Sequence, residues 1–103
     1  MTEDLAALPG GEMVVEGLEH LRQGIESPES LLLAIGEPRL RRLGLPLPPP
    51  GDLAAEPELR LYRLLAATSG KAAHSRYNAL VRELVSFERA LDRRRRRRLR
   101  ATP

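Results

Sequence analysis

Residues 71–91, KAAHSRYNALVRELVSFERAL, decide how the chain folds. Ala73, Tyr77, Leu80, Leu84, Phe87 and Leu91 recur at alternating steps of four and three, which places them along one side of an α-helix. Val81 and Val85 widen that seam beyond a strict two-position zipper, so the face suits other helices as well as a second copy of itself. At about 1.5 Å per residue the helix is roughly 30 Å long, close to the diameter of a small domain. The shorter segments upstream are expected to cover it.

The totals agree with a helical core. The chain has 103 residues, enough for one domain, and 42 % of them are hydrophobic, but only Tyr62, Tyr77 and Phe87 are aromatic. A core made mainly of leucine packs between helices more readily than in a sandwich of sheets, where β-branched and aromatic residues dominate. There is no cysteine, so disulfides, thiolate metal sites and cysteine nucleophiles are excluded, and a reducing compartment is compatible. The opening MTEDLAALPG carries acids in place of the basic and apolar segments of a secretion leader. No apolar run approaches the roughly 20 residues of a membrane span. A cytoplasmic protein with no membrane contact is expected.

Charge is unevenly distributed. Residues 1–38 hold eight acids and one base, whereas residues 39–103 hold sixteen bases and six acids. Seven of those bases lie in RRRRRRLR at residues 93–100, so residues 1–92 carry a net charge of −4 within a chain of net +3. A mildly acidic body with a basic end is the outcome.

Upstream, the helix signals come in order. Thr2, Glu3 and Asp4 suit the start of a short turn ended by Pro9, with Gly10 and Gly11 as a joint. Residues 12–23 read as a helix with Val14, Leu18, Leu21 and Ile25 as its buried stripe. Gly24 suits a left-handed cap, and Gly17 marks either a weak point or a close helix–helix approach. Ser27 and Pro28 open a helix that Gly36 ends. Its Leu31, Leu32 and Leu33 imply burial on more than one face or an exposed docking surface. Pro38 restarts a short helix through Leu43, with Arg39, Arg41 and Arg42 facing outward. Residues 45–51, LPLPPPG, read as a polyproline strap with Leu45 and Leu47 tucked in. Pro57 opens a helix with Leu61, Leu64, Leu65 and Thr68 on one side. Ser69 and Gly70 then turn it into the long helix, making an antiparallel hairpin.

The expected fold is therefore all-α: a small bundle of four or five helices over residues 1–92, with residues 45–51 as an internal proline-rich linker and residues 93–103 as a basic tail. A core this small suggests a homodimer through the seam residues Ala73, Tyr77, Leu80, Leu84, Phe87 and Leu91.

Four constellations bear on function. Arg93, Arg94, Arg95, Arg96, Arg97, Arg98 and Arg100 suit phosphate contacts, since guanidinium forks bind phosphate bidentately and without regard to base sequence. A solvated, disordered block of like charge accounts for the same run. His74, Asn78 and Arg82 form a polar patch at four-residue steps beside the seam. Glu12, Glu16 and His20 share a helix face at metal-ligand spacing, but the paired Glu-x-x-His repeats of di-metal bundles are absent, and a plain surface face is the reading. Ser69-Gly70-Lys71 fails as a phosphate loop, because Leu65 stands where the first glycine belongs and Ala72 where a hydroxyl must reach magnesium. Residues 28–43 are too short in their second helix for a helix–turn–helix reader. No catalytic set, cofactor site or metal site is expected. The sequence points to a non-enzymatic helical module that docks an unidentified protein partner; the alternative is a nucleic-acid-binding accessory using the arginine tail.

Overall fold

Five α-helices and three 3₁₀ turns account for the architecture of the computed structural model, which describes residues 4–101. Thr2 and Glu3, expected to start the first turn, lie outside the described residues. Leu5 and Leu8, around a 3₁₀ turn at Leu5–Ala7, pack against the core. Helix α1 is Gly11–Gln23. It ends as its sequence implies: Gly24 sits at φ +72°, its N–H donates to the Leu21 carbonyl (3.2 Å), and the Ile25 N–H donates to that of His20 (2.8 Å). These are the two bonds of a Schellman cap. The apolar stripe is less complete than expected. Val14 is buried and Leu18 and Leu21 are half-buried, but Ile25 is 44 % exposed.

Helix α2, Pro28–Ile35, begins in a reciprocal cap: the Ser30 N–H donates to Ser27 Oγ (3.1 Å) and the Ser27 N–H to Ser30 Oγ (2.8 Å). Its three leucines settle the choice left open by their spacing. Leu31, Leu32 and Leu33 are 2 %, 0 % and 0 % exposed, because α2 packs against α1 on one side and the C-terminal hairpin on the other. A helix apolar all round is a central helix here, and no docking surface remains on it. Gly17 makes the α1–α2 approach close. A Cβ at that position would lie 2.8 Å from the Glu29 carbonyl oxygen and 2.9 Å from Leu33 Cδ1.

Helix α3, Glu37–Arg42, follows at once and buries Leu40. Arg39 and Arg42 face outward as expected, but Arg41 does not. Its guanidinium bonds Glu37 Oε1 (2.9 Å) and the carbonyls of Leu47 (3.4 Å) and Pro48 (2.7 Å). A proline-rich strap offers carbonyls with few N–H groups to match, so an arginine with five donors is a suitable clamp. The strap lies across the bundle with Leu45 buried and Leu47 half-buried, and ends in a 3₁₀ turn at Pro50–Asp52.

Helix α4, Pro57–Ser69, buries Leu61 and Leu65 and half-buries Leu64. Thr68, expected on the same side, stays exposed, its hydroxyl donating back to the Leu64 carbonyl (3.0 Å). A 3₁₀ turn at Gly70–Ala72 leads into helix α5, Ala73–Ala101. Tyr62 and Tyr77 meet across the hairpin with ring centroids 6.2 Å apart. The seam is the spine of the core: Leu84, Phe87 and Leu91 are at most 4 % exposed, Ala73 is buried, and Tyr77 and Leu80 are half-buried. The helix expected to close near residue 92 instead continues through the arginines. No glycine or proline interrupts it there, arginine is a good helix former, and Asp92 pairs with Arg96 one turn ahead (3.1 Å). This projecting helix accounts for the 52 × 27 × 19 Å extents. Among the described residues, no helix is long and apolar enough to cross a membrane.

Candidate nucleic-acid interface

Where α5 leaves the body, its seam changes chemistry without changing register. Steps of four and three beyond Leu84, Phe87 and Leu91 lead to Arg94, Arg95 and Arg98. Arg94 donates to the Asp4 carbonyl (3.3 Å). The Arg95 guanidinium lies against Gly44, where a Cβ would fall 2.5 Å from Nη2. These two arginines therefore anchor the extension to the start of the chain and to the α3–strap corner. Both are half-buried, unlike the exposed arginines of the run.

The outward face is different. Arg89, Arg93, Arg96 and Arg100 recur at four, three and four, with Arg97 beside them, and all are exposed. The corner between α2 and α3 sets Arg39 and Arg42 next to this face. Arg39, Arg42, Leu43, Glu88, Arg89, Asp92 and Arg96 together line a shallow basin of about 480 Å³. Two acids sit in it. Glu88 is buried, pairs with Arg39 (3.5 Å), and has its carboxyl held above the ordinary range by burial, with Arg39 pulling partly back. Asp92 pairs with Arg96. Arg42, Arg89, Arg93, Arg97 and Arg100 form no ion pair with a carboxylate among the described residues.

The arrangement is a strip of exposed guanidinium groups on a rigid rod, flanked at its root by two more from another helix. Chemically it can bind phosphate oxygens bidentately along a polyanion. It carries no exposed aromatic for base stacking, and no nucleophile–base pair. Arg89, Arg39 and Arg42 were not assigned to this site from sequence. Their joining depends on the α2–α3 corner packing against α5, which periodicity along one helix does not reveal.

The other expected residues fall elsewhere. His74 and Asn78 form a hydrogen bond on the exposed side of α5 (3.2 Å), with Arg82 exposed a turn further on. The seam residues Leu84, Phe87, Leu91 and Ala73 are inside the chain's own core, so a second copy does not reach them. Apolar surface that remains available includes Val15, Leu59 and Tyr62. A groove of about 860 Å³ runs between α1 and the strap, lined by Val15, Leu18, Leu47 and prolines 46 and 48, with Glu12, Glu16 and Glu19 on its rim. Comparison of the chain with protein-family models, curated proteins and solved structures found no match.

Proposed function

We propose that this all-α protein is a non-enzymatic accessory that binds the phosphate backbone of nucleic acid along the outer face of α5 and α3. One observation carries the reading: the arginine run is helical, and it is joined at its base by Arg39, Arg42 and Arg89 to make one basic face. A disordered tail holds its charges in no fixed order, whereas this face presents them at helical spacing to a polyanion. Binding blind to base sequence follows from contacts made to phosphate alone. A cytoplasmic location belongs to the same reading, since a chain without cysteine is compatible with a reducing compartment.

The test is binding of the intact chain to duplex DNA and duplex RNA by fluorescence anisotropy, compared with a chain ending at Asp92 and with Arg39→Gln/Arg42→Gln/Arg89→Gln. Both variants should bind more weakly and show a shallower salt dependence. Equal affinity in all three proteins refutes the proposal.

A second reading has its own observation. The apolar groove between α1 and the strap suits an apolar protein segment, with Glu12 and Glu16 on its rim and Glu19 already paired with Arg22 there. In that reading the protein is an interaction module whose contact surface is this groove in place of the buried Leu31, Leu32 and Leu33. A homodimer would rest on the same groove or on Leu59 and Tyr62. Val15→Glu, which leaves the arginine face untouched, separates the two readings: it abolishes groove binding and spares nucleic-acid binding.

A further inference from the structure

At the crossing of α1 and α2, three metal-ligating side chains converge. Glu16 and His20 lie one turn apart on α1, Glu29 stands in the first turn of α2, and one ligand atom of each lies within 4.8 Å of the others. The convergence is a product of packing. Gly17 lets α2 approach α1 so closely that a Cβ would meet the Glu29 carbonyl, and this brings the Glu29 side chain over the Glu16–His20 face. The imidazole is also oriented. His20 Nδ1 lies 2.6 Å from Ser27 Oγ, the hydroxyl that caps α2 and already accepts the Ser30 amide. His20 Nε2 lies 3.8 Å from Glu16 Oε1. Metal-bound imidazoles are commonly arranged this way, one ring nitrogen fixed by a hydrogen bond outside the cluster and the other presented to the ion. In the ligating tautomer Nδ1–H donates to Ser27 Oγ, leaving the Nε2 lone pair to face the two carboxylates.

We propose that Glu16, His20 and Glu29 bind a divalent transition-metal ion of the zinc class, with water completing its shell. Two carboxylates match the charge of a dication, and the imidazole favours transition metals over magnesium or calcium. Ligand bonds of about 2.0–2.2 Å need only a small inward movement of side chains that are half-buried or exposed. Water fits the open positions because Glu16 faces solvent. The ion would tie α1 to the start of α2, so its expected role is structural. This inference is independent of the arginine face.

The experiment is calorimetric titration of the full chain, tag-free and stripped with chelator, with zinc chloride, followed by thermal unfolding with and without zinc. One equivalent should bind per chain and raise the melting temperature. Glu29→Gln and His20→Ala should each weaken binding at least tenfold and remove the thermal shift, while their circular dichroism matches wild type. His74→Ala and Glu12→Gln should bind as wild type does, and millimolar magnesium should not compete. Absence of saturable zinc binding overturns the proposal, as does binding that survives both Glu29→Gln and His20→Ala.

Discussion

Replacing Gly17 by alanine sets two opposing effects against each other at the centre of the bundle. Alanine in a helix interior gains about 1 kcal/mol over glycine from lost unfolded-state freedom. Against this, the new Cβ would sit 2.8 Å from the Glu29 carbonyl oxygen and 2.9 and 3.0 Å from Leu33 Cδ1 and Cγ. Ordinary contact begins near 3.4 Å, so α1 and α2 must separate by roughly half an ångström. The obstacle is backbone as well as a buried leucine, so a rotamer change does not relieve it. Overpacking of this kind costs about 1–3 kcal/mol, leaving a net loss of roughly 1 kcal/mol after the helix gain. For a chain of this size that is a fall of about 4–8 °C in melting temperature. Gly51→Ala, where a Cβ meets nothing within 4 Å, is the control and should be neutral or slightly stabilising. Differential scanning calorimetry reads both. A Gly17→Ala protein that melts at or above wild type would refute the close-crossing argument, and with it the reason Glu29 reaches Glu16 and His20.

Two further substitutions probe the spine and a buried acid on it. Phe87→Ala removes the largest side chain in the core and should cost about 3–5 kcal/mol in urea unfolding, a large part of the stability of any domain this small; a loss under about 1 kcal/mol would contradict its central place. Glu88→Gln should stabilise the protein at neutral pH. Burial raises the folded carboxyl above its ordinary value of 4.5, so protonation favours the fold. That contribution is fully present below the ordinary value and is lost as pH rises through the folded one. The stability difference between variant and wild type should therefore grow from acid toward neutral pH in melts across that range. A variant less stable than wild type at neutral pH would show that the Arg39 pair outweighs desolvation.

Much of the architecture was legible because each helix announces its own ends. Ser27 with Pro28, Pro57, Gly24 and Gly70 carry capping chemistry that acts within a few residues, and the seam from Ala73 to Leu91 has a period no other element mimics. What escaped is what depends on distant packing. A block of seven arginines reads as self-repelling chain, yet nothing in it stops a helix already thirty ångströms long, and Arg94 finds a partner on Asp4 while Arg95 lies beside Gly44, neighbours that only the folded topology supplies. Arg41 is expected to face outward with Arg39 and Arg42, but besides Glu37 its partners are strap carbonyls, which leave no mark on periodicity. Leu31, Leu32 and Leu33 had two readings, and choosing between them required knowing that α2 has neighbours on both sides. The candidate sites follow the same rule. Glu16 and His20 were visible as a pair one turn apart, but Glu29 joins them only through the Gly17 crossing.

The basic face is tested most directly by measuring how the affinity of the intact chain for a short DNA duplex changes with salt. If the exposed arginines of α5 and α3 neutralise four to seven phosphates, the logarithm of the association constant should fall against the logarithm of salt concentration with a slope of about −4 to −6. The chain ending at Asp92 should lose most of that slope. A salt-independent affinity, or a slope unchanged by the truncation, would contradict the assignment of phosphate binding to this helix.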